Sequence, residues 1–194
     1  MFLLGRMLAR TAVADVLGVD ARGWRWHEGP RGRPEVDAPH DDVSFNLAHS
    51  GGLVVVAVAR HAQVGVDVER RSRPVLDRAI VDRYCAPAEA RDVGSCGVTG
   101  WHDRFLEYWT LKEAYLKARG LGIGVPLAEL NFRLDRRPID LELLGTLAET
   151  DGSRWAFDLR PLGDEHYLAT AVACAAAAQP TFFIESFPLE RLRE

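Results

Sequence analysis

Gln63-Val64-Gly65-Val66-Asp67-Val68-Glu69 is the stretch from which the fold is read. Valine at every second position has the repeat of a strand, not of a helix. Val64, Val66 and Val68 then share one face and are expected in the core. Asp67 and Glu69 share the other face, with α-carbons about 6.5 to 7 Å apart. Two carboxylates at that spacing can both reach one hard cation such as Mg2+. The same alternation also suits a solvent-facing strand edge that runs into the Arg70-Arg71 turn.

Working outward, Val43–Ala48 and Leu53–Arg60 are two further β-like runs, broken at Ser50-Gly51-Gly52 and His61-Ala62, both of hairpin length. Before them, Leu4, Leu8, Ala12 and Val16 recur at four-residue steps, which predicts a helix over 3–17 closed by Gly18. Residues 19–42 are rich in Gly, Pro, Arg and Asp and read mostly as loop. After the strand, 70–74 is a charged connector and 75–84 a helix. Pro87 suits the first turn of another short helix, with Glu89 near its positive end. A loop over 94–100 precedes the longest helical pattern, Trp101 to Arg119, which Gly120, Gly122 and Gly124 stop before Pro126. Strands follow near 130–134, 155–160, 167–175 and 182–187. Helix followed by strands thus occurs twice. The expected fold is α+β, with two similar lobes about a pseudo-twofold axis (residues 1–74 and 75–194) and a ligand cleft between them.

The bulk numbers fit this picture. The 194 residues are 47% hydrophobic and 27% charged, as in an ordinary soluble globular protein. No uncharged apolar run is long enough for a transmembrane helix. Arg6 and Arg10 interrupt the first helix, which reads as amphipathic and not as a signal peptide. Cys85, Cys96 and Cys174 are too few and scattered for a disulfide framework or zinc site, and fit a reduced cytoplasm. A net charge of −4 argues against a general nucleic-acid binder.

Only two of the 24 basic residues are lysines, Lys112 and Lys117, and both lie in Trp109-Thr-Leu-Lys-Glu-Ala-Tyr-Leu-Lys117. Their clustering suggests that a compact ammonium is wanted there in place of a planar guanidinium. On a helix, Trp109, Glu113 and Lys117 form one stripe. Glu113 and Lys117 also make an ordinary surface pair worth a few tenths of a kcal/mol, although a solvated stripe seldom carries a tryptophan. In Phe45-Asn-Leu-Ala-His-Ser-Gly-Gly52, a histidine and a serine ahead of two glycines can wrap donors around a phosphate. A plain hairpin turn would read the same way.

Together, A-H-S, G-V-D-V-E and W-T-L-K-E-A-Y-L-K resemble the 4'-phosphopantetheinyl transferases, in the monomeric, two-lobed Sfp-type branch. The resemblance runs from about Leu3 to Phe187. It implies transfer of the 4'-phosphopantetheine group of coenzyme A to a serine of an acyl or peptidyl carrier protein, with release of adenosine 3',5'-bisphosphate. It also implies a cytoplasmic monomer whose partners are neither membranes nor nucleic acids. Carried over by residue, Asp67, Glu69 and Glu113 would bind Mg2+. Lys117 and His49 would contact coenzyme A phosphates with Ser50 close by, and Arg33 would stand near the nucleotide. Asp67, Glu113 and Lys117 would carry the chemistry, with Glu113 or a metal-bound water as base. Glu89 stands where the family often has an acid ahead of the long helix.

Two departures accompany the resemblance. Ala48 replaces a frequent serine, which removes one possible phosphate donor. The chain also starts inside its first helix, where relatives have an earlier strand and basic residues, so weakened nucleotide binding is expected. Two alternatives remain. One is a metal-dependent phosphohydrolase or nuclease, against which the four-residue spacing of Glu113 and Lys117 speaks. The other is a non-catalytic carrier-binding remnant.

Overall fold

The computed structural model describes residues 2–29, 32–74, 77–122, 124–148, 154–174, 180–188, 190 and 192. Helix α1 (Phe2–Leu17) ends at Gly18, whose φ of +71° is the left-handed conformation that closes a helix. Its Ala9, Val13 and Ala14 are buried with Val43 and Phe45 of β3 (Val43–Ser50). Strand β4 (Leu53–Arg60) pairs with β3 antiparallel, from Val43 opposite Arg60 to Ser50 opposite Leu53. The turn between them is Gly51-Gly52, with φ of +53° and +90°, so the glycines are there for the backbone.

Residues 19–42 contain more than the expected loop. Strands β1 (Trp26–Glu28) and β2 (Pro34–Val36) form a small hairpin. Three-residue strands carry no readable period. What orders them is tertiary packing: Trp24 and Trp26 lie against Phe45, and the Arg10 guanidinium sits over both indoles.

The second sheet has the order β5-β9-β8, all antiparallel, with β5 at Val64–Arg70, β8 at Arg154–Leu162 and β9 at His166–Cys174. Between β5 and β8 in sequence come α2 (Ala79–Tyr84), α3 (Pro87–Ser95), α4 (Gly97–Arg119) and the pair β6 (Leu130–Arg133) and β7 (Asp140–Leu143). Helix α4 lies across the second sheet. It buries Phe105, Leu111, Ala114, Tyr115 and Ala118 against Phe157, Tyr167, Ala169 and Ala171. A helix over antiparallel strands therefore occurs in each half. Strand β5 is common ground: it pairs with β9 and also packs against β3.

Other boundaries moved. The expected loop at 94–100 is almost wholly helical, because α3 runs to Ser95 and α4 begins at Gly97. Of the helix expected over 75–84, α2 supplies 79–84, and residues 75–76 lie outside the described set. Residues 182–187, expected as a strand, join no sheet, and Phe183 is exposed.

Candidate active site

Val64, Val66 and Val68 are buried as the alternation requires, and the opposite face of β5 lies on α4. Contact is closest at Gly65. A Cβ there would stand 2.1 Å from the Ala114 carbonyl oxygen and 2.3 Å from the Ala118 nitrogen. Only glycine lets the helix backbone approach so near. Asp67 and Glu69 continue that face of β5, while Glu113 and Lys117 flank the contacted alanines. The missing side chain at Gly65 therefore brings the two sequence motifs together.

Lys117 Nζ donates to Asp67 Oδ1 at 2.6 Å. Glu69 accepts three bonds: from the Arg73 guanidinium, from Trp109 Nε1 at 3.1 Å and from the Ser50 hydroxyl at 3.2 Å. Burial pushes Asp67 up to about 7; Lys117 opposes this, and the charges of Glu69 and Glu113 add to it. Glu113 is also raised, first by burial, against the pull of Lys117. These are the marks of carboxylates crowded together away from water.

Two oxygens of this group, Asp67 Oδ2 and Glu113 Oε1, are buried with no hydrogen-bond partner among the described residues. Buried polar atoms are seldom left so. Orphaned carboxylate oxygens facing a shortage of positive charge are what a hard divalent cation relieves, so the donor set fits one. Among the described residues no three such ligands are gathered into a cage, and Lys117 and Arg73 each hold a carboxylate.

The other sequence-derived candidates divide. His49 is exposed at the end of β3. Ser50 turns its hydroxyl to Glu69 and to the Arg70 amide. The guanidinium of Arg33 donates to the carbonyls of Ala118 and, at 3.3 Å, Val64, which ties β2 to α4 and β5. Ala48 is 4% exposed and packs with Val66, Val68 and Leu168, so position 48 faces the strand contact and not the open site.

Lys112 is likewise no ligand of the open site. Its ammonium is 1% exposed, 2.5 Å from Glu89 Oε2, and donates to the carbonyls of Tyr84 and Leu127 at 2.8 Å each. Glu89, fully buried, accepts in turn from the amides of Ala86 and Phe132 at 2.8 Å. This buried knot fixes α4 against α3 and β6. Sequence reading did not anticipate Arg73 or Asn46. Arg73 lies in a turn where spacing carries no geometric meaning, and Asn46 in a strand reads as any polar residue.

Residues 63–172, more than half of the chain, match the family described as the 4'-phosphopantetheinyl transferase superfamily. A 4'-phosphopantetheinyl transferase of Bacillus subtilis is 32% identical over 175 residues, covering 90% of this chain and 73% of the relative.

The chain belongs to the 4'-phosphopantetheinyl transferase superfamily.

Further members include a phosphopantetheinyl transferase of Thraustochytrium sp., 35% identical over 90% of this chain and 64% of its own length. The human L-aminoadipate-semialdehyde dehydrogenase-phosphopantetheinyl transferase is 29% identical over 88% and 60% respectively. The chain thus spans about three fifths to three quarters of these relatives. Among solved structures, the ACPS–CoA complex of Chronobacterium ammoniagenes is similar over 58% of this chain and 96% of its own, with 24% identity and a TM-score of 0.46. The matched stretch of the superfamily begins at β5 and ends in β9, so it contains Asp67, Glu69, Glu113 and Lys117.

Proposed function

We propose that the protein transfers the 4'-phosphopantetheine group of coenzyme A to a serine of an acyl or peptidyl carrier protein and releases adenosine 3',5'-bisphosphate. The observation that carries this reading is the apposition at Gly65, which sets Asp67 and Glu69 beside Glu113 and Lys117. In the transfer, the serine oxygen bonds to the phosphorus that bears the pantetheine arm. The bridging P–O bond to the nucleotide phosphate then breaks. Catalysis is mostly positioning and charge neutralisation.

Asp67, Glu69 and Glu113 would hold Mg2+, which supplies positive charge to the pyrophosphate when bound. Lys117, half-buried, adds an ammonium that can leave Asp67 for a phosphate oxygen, with exposed His49 as a second phosphate contact. Glu113, with Oε1 unpartnered and its carboxyl raised above the usual range, is suited to take the serine proton. A cavity of about 290 Å3 beside Trp109, lined by Pro74, Ile80, Phe105 and Leu106 with Arg73 and Asp77 also at its wall, offers the arm a partly apolar place to lie.

The nuclease alternative loses ground because Glu113 and Lys117 lie on a helix, α4. A monomer acting in the cytoplasm, with the chain dividing near residue 74 and β5 shared between its lobes, completes the proposal. Among the described residues no helix is long and apolar enough to cross a membrane. Incubation with coenzyme A, Mg2+ and an apo carrier protein, read by intact mass, is the test. The carrier should gain one phosphopantetheinyl group. No gain at saturating coenzyme A, with a known transferase active on the same carrier, would favour the remnant reading.

A further inference from the structure

Among the described residues, strand β5 is bonded to backbone on one side only. Toward β9 the odd-numbered residues pair, as the bond from the Ala173 amide to the Gln63 carbonyl at 2.9 Å shows. Even-numbered amides point the other way, toward β3, where side chains meet them. Ser44 Oγ accepts from the Val64 amide at 3.1 Å, Asn46 Oδ1 from Val66 at 3.0 Å and Ser50 Oγ from Arg70 at 3.0 Å. Each partner lies 20 residues on, so the contact is a regular seam whose rungs are side chains. At the remaining step Ala48 offers Val68 no side-chain acceptor.

The rungs are unequal. Asn46 is 7% exposed, and its bond is the buried one of the three. Val66 immediately precedes Asp67. We propose that Asn46 is a positioning residue for the reaction: by holding the Val66 amide it fixes where Asp67 points, and so the divalent-cation site. The inference rests on the proposed function, in which Asp67 and its neighbours hold a cation. Ser50 braces the far end, since it bonds both the Arg70 amide and Glu69 itself. A side-chain rung suits this seam because it satisfies the edge of β5 without drawing β3 into the sheet, which leaves His49 on a separate surface. Partners that orient metal ligands typically change metal affinity or activity about 10–100-fold when removed.

The test measures Mn2+ binding by the electron paramagnetic resonance of free Mn2+, without coenzyme A, and separately kcat and KM for coenzyme A. All measurements are made well below each melting midpoint. Asn46→Ala should weaken Mn2+ binding and lower kcat at least about tenfold, with KM for coenzyme A moved less. Ser44→Ala removes the rung farthest from Glu69. It should lower the melting temperature while leaving Mn2+ affinity within about twofold, since a lost hydrogen bond there acts on stability alone. If Asn46→Ala does not fold, Asn46→Leu is the space-filling variant; it keeps the volume but carries no acceptor for the Val66 amide, and it should still weaken Mn2+ about threefold or more. Wild-type Mn2+ affinity in whichever Asn46 variant folds, or equal losses in Ser44→Ala, would overturn the proposal. A wild-type protein that binds no Mn2+ would instead overturn the cation site on which the inference rests.

Discussion

Lys112→Met removes one partner of a pair that has no access to water. In the native fold the ammonium has three acceptors, Glu89 and two carbonyls, and the carboxylate has two amide donors besides the lysine. The methionine fills most of the volume but leaves Glu89 with no cation and takes the lysine donor from the carbonyls of Tyr84 and Leu127, of which Leu127 keeps only the Leu130 amide. Breaking a buried pair from one side costs about 3–5 kcal/mol. Domains are stable by only about 5–15 kcal/mol, so the variant should fold with little margin. At about 2–4 °C per kcal/mol for a chain of this size, the melting midpoint should drop by roughly 6–20 °C.

The deficit should depend on pH with a definite sign. Burial already pushes Glu89 up and Lys112 down from their usual values. Without the lysine, only the two amide bonds from Ala86 and Phe132 still oppose burial, and Glu89 is pushed further toward the neutral acid in the folded state. A carboxyl whose folded pKa exceeds its unfolded one binds more protons when folded, so stability falls as pH rises above the ordinary carboxylate range. The variant should therefore lose more at pH 8 than at pH 5. Urea unfolding followed by tryptophan fluorescence at both values measures this, and transfer by the still-folded variant at low temperature is the companion assay. A variant with an unchanged midpoint and no transfer would refute the reasoning and return Lys112 to the chemistry.

Gly65→Ala should be worse than an exposed substitution by several-fold in cost, because the new methyl meets helix backbone and not a movable side chain. A well-folded, fully active alanine variant, checked by circular dichroism and transfer, would contradict the close approach. Lys117→Ala should impair turnover or coenzyme A binding far beyond the value of an exposed ion pair, which is under about 1 kcal/mol; unchanged kinetics with a slightly lower midpoint would make it a surface pair after all. In metal-free protein, Asp67 is raised to about 7, so stability should fall as pH climbs from the ordinary carboxylate range to neutrality. Added Mg2+ should release protons near pH 6 and reverse the loss, and Asp67→Asn should flatten both effects in a pH-stat titration.

Strand β5 and helix α4 were legible in the sequence because each repeats with the period of its own backbone. The valines of 64–68 alternate, and Trp109, Glu113 and Lys117 recur every four residues. Those local periods place Asp67 with Glu69 on one side and Glu113 with Lys117 on another before any tertiary contact is known. The resemblance between the two motifs and the superfamily is likewise a property of the sequence, and residues 63–172 bear it out.

What the tertiary structure decided is how each polar group is spent. Lys112 and Lys117 stand five residues apart on one helix, yet one is sealed against Glu89 and the other reaches Asp67. Helix α4 is packed on most of its sides, so its own period cannot say which side is core and which is cleft. Arg33, Ser50 and Arg73 were each drawn to protein partners from 4 to 85 residues away. Asn46 faces an amide 20 residues along the chain. Local sequence sets the direction in which a side chain leaves its strand or helix. The partner it meets depends on which other backbone has been folded against it, and at this site that was settled by the missing Cβ of Gly65.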